Sequence, residues 1–521
     1  MSIGNNYSSH VFLFPFVWDA FDKTGSGKPK KADDPFKSIK GVLDAPNSNW
    51  KSVYNDKVSL KSDFNDEEKR LFFNEHQYFF PFVKDTLYSY KTDNDICQNY
   101  VRKSVVGSEK YVIEKDEKVY SLNIDSIGLS VFSTGIAVLY YKLKYEVEDG
   151  GAIPLQDILN INEYGRRLYY SFIPSNKVTQ CYFNADKISI AGLDGESDIV
   201  EAFEPQIKDY ANNFDYLSNT VLGVLGDEFF CSGKNAQSYD ITDNRRINII
   251  PVIDDRMFVM CYYKNSAFSN AVTAYDEKSR NYAYEKVAEN PIDYIDNLYK
   301  YIFIDNSFPS CQNIGMKAEQ LKKHIYERWT DYGTIYAGSE YSFVVLVNEE
   351  APEFFRDHFN TLYFNMVLLC LAQRGSLIEF SNRSSNLSRG NVKKSIFKEI
   401  SSLQEKYIQF INQVNHENVT AQQQGIEIYG FIKENLLIQK NISDVENKLN
   451  NLYNLSNFKQ QQNINYLLIF IAALGVVIGG LEILAIDCLL FKIIATSVLA
   501  LSLPVVYLIF YIVPRRRSFR R

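Results

Sequence analysis

The chain has 521 residues, which is enough for two or more folded domains. It carries 56 lysines and arginines against 63 aspartates and glutamates, a formal net charge of −7, which argues against direct binding of nucleic acid. The 7 cysteines are dispersed and form no C-x-x-C pair, so a zinc site or a disulfide framework is disfavoured and a reducing compartment is indicated.

Strand patterns are prominent in the first 150 residues. His10–Trp18 is predicted to be a short aromatic strand with Pro15 at its end. Residues 141–147 alternate apolar and charged side chains, which predicts a half-exposed strand. Pro154 then opens a predicted helix that continues to Leu168.

Strands and helices are interleaved further along the chain. Arg246–Val252 and Met257–Tyr263 are predicted to form a hairpin with Asp254 and Asp255 in its turn. A helix, a buried strand and a long helix are predicted next, at Met316–Trp329, Tyr341–Val347 and Pro352–Phe380. This order predicts an α/β or α+β domain that occupies residues 1–385.

Residues 386–463 are predicted to form a helical stalk. Two apolar seams have helical spacing: Leu403, Tyr407, Phe410 and Val414, then Ile438, Ile442, Val445, Leu449 and Leu452. The polar segment Asn415–Gln424 is predicted to turn one helix into the next. No helix breaker precedes the following apolar tract, so we expect one continuous rod there. A solvated linker helix is the alternative.

Residues 464–513 are almost entirely apolar, and a helix needs ~20 apolar residues to cross a bilayer. We therefore expect two transmembrane helices, 464–484 and 493–513. The basic tail 514–521 contains five arginines, which predicts that it stays in the cytoplasm. A hairpin returns to its starting side, and the N-terminus has no signal-peptide pattern. The prediction is a multi-pass inner-membrane protein with both termini in the cytoplasm.

The hairpin could be only an anchor, or several copies could form a pore. Gly475 and Gly479 form a G-x-x-x-G step followed by Gly480, which permits close helix contact, although glycine is common in membrane helices. Glu482 and Asp487 would form acidic rings in an oligomer, although loops also require polar residues. These five residues are the predicted pore positions.

The layout of residues 350–521 resembles the CorA family of divalent-cation channels. The resemblance implies a homo-oligomer, a pentamer in that family, with an α/β cytoplasmic domain, a stalk and two C-terminal spans. The family's Gly-Met-Asn motif is missing, and Gly479-Gly480-Leu481-Glu482 stands in its place. Selectivity for magnesium therefore cannot be transferred, and a divalent cation is only a candidate ligand.

The N-terminal part is similar to a narrower group, the CorA-like membrane effectors found beside type III CRISPR systems. The similar stretches are Phe12-Leu13-Phe14-Pro15-Phe16 with Trp18, Asn162-Glu163-Tyr164-Gly165-Arg166-Arg167-Leu168, Asp254-Asp255-Arg256-Met257-Phe258 and Ala372-Gln373-Arg374. The resemblance implies an antiviral effector that is gated by a nucleotide second messenger. In that group the messenger is the conjugate of S-adenosylmethionine with AMP.

Arginines suit such a ligand because their planar guanidinium groups bind phosphate oxygens with two hydrogen bonds. The candidate ligand-binding residues are Arg166, Arg167, Arg245, Arg246, Asp254, Asp255 and Arg256. A solvated surface with local aspartate–arginine ion pairs is the alternative. The sequence contains no Walker loop, G-x-G-x-x-G, H-E-x-x-H or G-x-S-x-G motif, so an enzyme is not expected.

The predicted function is a CorA-like homo-oligomeric membrane channel that permeabilises the inner membrane on binding a nucleotide messenger. A membrane-anchored binding or scaffold protein that does not conduct is the first alternative. A magnesium transporter is the second, and the missing Gly-Met-Asn motif counts against it.

Overall fold

The fold is taken from a computed structural model of the chain. It describes residues 7–22, 30–53, 66–90, 95–103, 108–147, 151–168, 183–193, 198–203, 217–231, 246–252, 256–277, 281–285, 292–307, 310–389, 394–484, 489–491 and 493–498. The chain divides into two compact units. The sheet unit comprises Met1–Asn382 with Glu405–Asp444, and the C-terminal unit comprises Arg383–Gln404 with Val445–Arg521.

All the described strands lie in the sheet unit. They are β1 (Tyr7–Asp22), β2 (Lys30–Lys31), β3 (Trp50–Val53), β4 (Cys97–Arg102), β5 (Lys110–Lys115), β6 (Lys118–Phe132), β7 (Ile136–Glu146), β8 (Lys187–Ala191), β9 (Ile199–Ala202), β10 (Phe229–Cys231), β11 (Ile247–Pro251), β12 (Phe258–Lys264), β13 (Tyr275–Asp276), β14 (Asn281–Tyr282), β15 (Ile325–Tyr326), β16 (Ile335–Gly338) and β17 (Ser342–Val347).

The α-helices of the described residues are α1 (Pro35–Leu43), α2 (Asp66–Gln77), α3 (Pro81–Leu87), α4 (Leu155–Gly165), α5 (Asn219–Leu225), α6 (Ser266–Thr273), α7 (Ile292–Phe303), α8 (Ile314–His324), α9 (Phe354–His358), α10 (Phe364–Arg389), α11 (Lys394–Gln413), α12 (Gln423–Asn435) and α13 (Ile438–Leu484). A π-helical turn, Phe359–Tyr363, joins α9 to α10. Short 3-10 helices cover Ala283–Glu285 and Glu327–Tyr332.

The main sheet is mixed and mostly antiparallel. Its strand order is β15-β16-β17-β12-β1-β7-β6-β5-β8-β9, with β10, β11, β2, β3 and β4 attached beside this path. Among the described pairs, only β12 with β17 and β10 with β11 run parallel. Most strand pairs are therefore antiparallel, and the described sheet is not built from repeated βαβ units.

β1 lies at the centre of the sheet and is longer than predicted. Its aromatic residues Phe12, Phe14, Phe16 and Trp18 lie on one face and are at most 3% exposed. Residues 11, 13 and 17 lie on the other face and are at most 4% exposed, so the strand is covered on both faces. β7 pairs with one edge of β1, while β12 pairs with residues 9–13 and β11 with residues 16–20 of the other edge. Pro15 falls between these last two paired segments, so neither of them loses a hydrogen bond to its missing N–H.

The predicted hairpin of residues 246–263 is wrong in its pairing. Both strands form, but β11 and β12 pair one after the other with β1 along the same edge. β1 has 16 residues and is long enough to hold two partners end to end. The predicted turn residues Asp254 and Asp255 lie outside the described residues.

Several local predictions are confirmed. α4 begins after Pro154, and β7 and β17 form where alternation and apolar runs predicted strands. The helix predicted at Met316–Trp329 ends at His324, and β15 and a 3-10 helix follow it. The local sequence pattern predicted where these helices and strands lie, but not the residue at which each of them ends.

The nine apolar residues of the two predicted seams are all at most 8% exposed, so these helix faces are buried as predicted. α11 ends at Gln413 and α12 begins at Gln423, so the predicted turn between them is confirmed. Leu437 has a left-handed φ of 55° and separates α12 from α13. α13 then continues for 47 residues through the start of the apolar tract, about 70 Å at 1.5 Å per residue.

The predicted fold class, an α/β domain with a stalk and two C-terminal transmembrane helices, is wrong. Within the described residues, one helical stretch is long and apolar enough to cross a bilayer, Phe354–Arg389, and 89% of its apolar window is buried. In the C-terminal unit the described apolar stretches are Ile464–Val476, which is part of α13, and Leu489–Val498. Each is only 10–17 residues long, which is shorter than a helix that crosses a bilayer. The fold is a mixed-sheet unit followed by helices, and the one described stretch that could cross a bilayer by length and composition is mostly buried in the protein.

Candidate functional site

The end of α4 carries the first two candidate ligand residues, and the structure places both inside the sheet unit. Arg166 is 1% exposed and Arg167 is 5% exposed. Arg166 donates from Nη2 to the carbonyl oxygen of Ile304 at 2.7 Å, and Arg167 donates from Nε to that of Phe183 at 3.0 Å. Both guanidinium groups thus help to hold chain segments together, and ligand binding by them stays a prediction.

Glu163 supplies the negative charge beside these arginines. Its Oε2 accepts hydrogen bonds from the backbone N and the Oγ of Ser307, at 2.8 and 2.9 Å. Burial raises the pKa of Glu163, while the bonds from Ser307 and the charges of Arg167 and Arg166 oppose that rise. The carboxylate therefore lies close enough to both arginines for their charges to act on it, and its direct hydrogen bonds come from Ser307.

Close packing explains the glycine in this segment. A Cβ atom on Gly165 would lie 2.7 Å from Cζ of Phe12 and 2.8 Å from Cδ1 of Ile113. The Tyr111 hydroxyl donates to the Gly165 carbonyl oxygen at 2.8 Å. The end of α4 is thus pressed against β1 and β5, which sets the position of the two arginines that follow.

Arg256 is brought close to this segment by backbone pairing. Arg167 and Arg256 form an isolated antiparallel bridge, and the backbone N of Met257 donates to the Arg166 carbonyl oxygen at 2.7 Å. The Arg256 guanidinium lies over the Tyr341 ring, 4.4 Å from its centroid. Of the seven candidate ligand residues, the structure therefore gathers three.

Of the other four candidates, the structure describes only Arg246. Arg246 precedes β11, where its backbone N donates to the Glu228 carbonyl oxygen at 2.9 Å. Arg245, Asp254 and Asp255 lie outside the described residues. In the ranges that the structure covers, no group of three or more His, Cys, Asp or Glu side chains could hold a metal ion.

A buried histidine beside α4 was missed by the sequence analysis. His10 is fully buried in β1, and its Nδ1 lies 2.7 Å from Oδ1 of Asn162. Since an amide oxygen only accepts, Nδ1–H is the donor, and Nε2 accepts from the Ser8 hydroxyl at 2.9 Å. Burial lowers the pKa of His10 from 6.5 to about 4, despite the bond to Asn162. The sequence signal that could have identified this buried histidine is its position within an apolar strand.

This histidine predicts a dependence of stability on pH. The unfolded chain binds a proton on His10 near pH 6.5, whereas the folded unit resists it down to about pH 4. Acid therefore favours the unfolded state in this window, by up to about 1.4 kcal/mol per pH unit for one histidine. Urea unfolding between pH 7 and pH 4 should show a shallower loss for His10→Gln than for the natural chain. Equal slopes would contradict the assignment.

The predicted pore positions are only partly described. Gly475 and Gly479 lie in α13, Gly475 exposed and Gly479 half-buried. Gly480 and Glu482 are also helical, but the structure describes only their backbone. Asp487 lies outside the described residues. A pore at these positions stays a prediction.

An exposed apolar surface distinguishes the C-terminal unit. We define this C-terminal apolar surface by thirteen side chains that are 45–75% exposed, Tyr466, Leu467, Leu468, Phe470, Ile471, Leu474, Ile478, Leu489, Leu490, Phe491, Ile493, Ile494 and Val498. Soluble monomers rarely expose large apolar patches, so thirteen exposed apolar side chains among the described residues of 466–498 indicate a binding partner or a lipid contact.

Comparisons with protein-family models, with curated proteins and with solved structures found no match. The resemblance to CorA-like effectors accordingly stays an expectation from the sequence.

Proposed function

We propose that this protein is a membrane-associated effector whose C-terminal apolar surface binds a lipid bilayer. The observation that carries the proposal is the exposure of that surface, for example 68% for Tyr466, 61% for Phe470 and 75% for Leu489. Removing one such side chain from water contributes roughly 1.5–3 kcal/mol. Several together are sufficient to hold a protein at a membrane.

The distribution around α13 favours lipid over a single protein partner. Tyr466, Leu467 and Leu468 are consecutive and all at least 46% exposed. Consecutive helical residues point in directions about 100° apart, so these three cover more than one face. A single partner helix would cover one stripe, whereas hydrocarbon can surround the helix.

Charge gives a second argument for lipid. Five arginines follow the apolar tract in the sequence, between residues 515 and 521. Basic residues next to an apolar segment are attracted to anionic head groups, by about 1 kcal/mol each near the surface. Binding to lipid in this way does not require that the chain cross the bilayer.

We further propose that the sheet unit responds to a nucleotide-type messenger, with the conjugate of S-adenosylmethionine and AMP as the first compound to test. The support is the resemblance in residues 12–18, 162–168 and 254–258. A ligand can act on the membrane-bound form only by its different affinity for two states of the protein. Self-association, with a pentamer as the expected number, belongs to the same proposal.

Flotation with vesicles tests the lipid proposal. Full-length protein should float with vesicles that contain phosphatidylglycerol, and more weakly with phosphatidylcholine alone. The double variant Leu467→Glu with Ile471→Glu should lower the bound fraction more than about tenfold, because one carboxylate costs roughly 2.5–3.5 kcal/mol in a bilayer. The control Val119→Glu adds a charge at a side chain of the sheet unit that is 61% exposed, and should float normally. Equal flotation of all variants would contradict the proposal.

Efflux of ions and dye from the same vesicles separates the functional alternatives. Efflux only with the messenger supports a gated permeabilising effector. No efflux in either case supports a tethered binding protein, and magnesium flux without the messenger supports a transporter. The native mass of the particle in detergent tests the expected oligomer.

A further inference from the structure

Three aromatic side chains lie together at the surface of the sheet unit. Trp329 and Tyr332 belong to the 3-10 helix Glu327–Tyr332, and Phe354 is the first residue of α9. The ring centroid of Trp329 lies 6.2 Å from that of Tyr332 and 6.1 Å from that of Phe354. Tyr332 is 65% exposed, Phe354 is 39% exposed, and Trp329 is half-buried. We call these three rings the aromatic surface.

Hydrogen bonds hold the backbone that carries these rings. The backbone N of Thr334 donates to the Trp329 carbonyl oxygen, and Nδ2 of Asn348 donates to the Tyr332 carbonyl oxygen, both at 3.1 Å. Gly333 has a left-handed φ of 63°, and a Cβ atom on it would lie 2.5 Å from Asn348 Nδ2. The rings are therefore exposed on a defined frame, which indicates a binding surface.

Exposed carboxylates lie beside the aromatic surface. Asp331 directly precedes Tyr332 and is exposed. The side chain of Asn348 is bonded to Tyr332, and the two residues that follow it, Glu349 and Glu350, are exposed. The rings are therefore bordered by acidic side chains on two chain segments.

The arginines of this region are already engaged within the sheet unit. Arg328 Nη1 lies 3.3 Å from Oε2 of Glu427, and Arg70 Nε lies 2.8 Å from Oδ2 of Asp357. Arg356 is half-buried. The exposed charge beside the aromatic surface is therefore negative, so a complementary partner carries positive charge.

We propose that the aromatic surface binds an extended segment of a partner protein that carries arginine at alternate positions. Side chains on one side of an extended chain repeat at about 6.6 Å, close to the separations of 6.2 and 6.1 Å between the rings. Each guanidinium group stacks on a ring and forms ion pairs with the neighbouring carboxylates. The chain itself uses this chemistry here, since the Arg328 guanidinium lies 5.9 Å from the Trp329 ring centroid.

Other classes of partner fit this surface less well. Nucleic acid or anionic lipid would bring phosphate groups next to the carboxylates, which repel them. An uncharged apolar segment would contact the rings but would gain nothing from the acidic side chains. Binding at the aromatic surface is thus independent of the proposed lipid binding by the C-terminal apolar surface.

Fluorescence anisotropy with the full-length protein in a non-ionic detergent tests the proposal. The probe is a short labelled peptide in which arginine alternates with serine. Its matched control has citrulline in place of arginine, which preserves the shape of the side chain and removes the charge. The arginine peptide should bind about tenfold more tightly, or better. Equal affinity for both peptides overturns the proposal and indicates an uncharged apolar partner.

Two double variants separate the rings from the charge. Tyr332→Ser with Phe354→Ser removes two rings and retains every carboxylate, while Glu349→Gln with Glu350→Gln does the reverse. Each double variant should weaken binding of the arginine peptide by about tenfold. If the serine variant does not fold, the glutamine variant decides, because its changed side chains are exposed.

Matched controls change similar side chains elsewhere. Phe82→Ser removes a ring that is 51% exposed on α3. Asp33→Asn with Glu117→Gln removes two exposed carboxylates. Both controls should bind the arginine peptide as the natural chain does. Unchanged binding by the folded surface variants, or an equal loss in the controls, overturns the proposal.

Discussion

Replacing Glu163 with glutamine is expected to lower the free energy of unfolding of the sheet unit by about 1–3 kcal/mol, because its buried carboxylate accepts two hydrogen bonds from Ser307 that a neutral amide oxygen accepts more weakly. Glu163 is 1% exposed and interacts with the charges of Arg166 and Arg167, which are themselves 1% and 5% exposed. The glutamine would keep the volume and an acceptor for Ser307 but would leave two cations without this carboxylate. The loss would therefore come from charge and not from packing.

Urea unfolding of the full-length protein in detergent, followed by tryptophan fluorescence, measures this effect. Trp18 and Trp50 lie in β1 and β3 and report on the sheet unit. Glu319→Gln is the matched control, since Glu319 is exposed on α8 and its change should cost no more than about 0.5 kcal/mol. An equal midpoint for both variants would show that the buried charge group does not stabilise the fold as described.

Replacing Phe12 with alanine is expected to cost about 3–5 kcal/mol of stability. Phe12 is 0% exposed in β1, and its ring centroid lies 5.9 Å from that of Tyr111. The neighbours belong to paired strands and to the end of α4, so they cannot easily move into the vacated space. The same unfolding measurement applies, with Phe73→Ala as control because Phe73 is 52% exposed.

A second substitution tests whether Phe12 and Gly165 share that space. Gly165→Ala alone should cost about 1–3 kcal/mol, because its Cβ would lie 2.7 Å from the Phe12 ring. In the Phe12→Ala background the new methyl group enters the vacated volume, and its cost should be smaller, although Ile113 Cδ1 at 2.8 Å still has to move. Additive losses within about 0.5 kcal/mol would contradict a shared space.

The stalk and the apolar tract show how far a periodic pattern can be trusted. The spacing of the two seams predicted buried helix faces correctly, because period 3.6 is a local property of a helix. The same reasoning counted apolar residues to predict membrane spans, and there it failed. Among the described residues the stretch that passes the test of length and composition is Phe354–Arg389, which was not a predicted span, and 89% of its apolar window is buried within the protein.

The candidate ligand residues show a similar limit. Arginines were selected because their guanidinium groups suit phosphate oxygens, and the alternative was a solvated surface with local aspartate–arginine ion pairs. For Arg166 and Arg167 the chain itself provides Glu163 and two backbone carbonyl oxygens. Ile304, one of those acceptors, is 138 residues from Arg166 in the sequence. No local pattern could have identified it.

The sequence by itself determined the elements whose pattern is local: the aromatic strand around Phe12, the helix after Pro154, the buried strand before residue 347 and the seams of the later helices. Only the tertiary structure decided that β11 and β12 share one edge of β1, that helix 354–389 is a core helix and that two arginines are internal. The physical reason is that composition records which side chains avoid water or carry charge. It does not record whether lipid, a distant strand or a distant carboxylate provides the environment that they require.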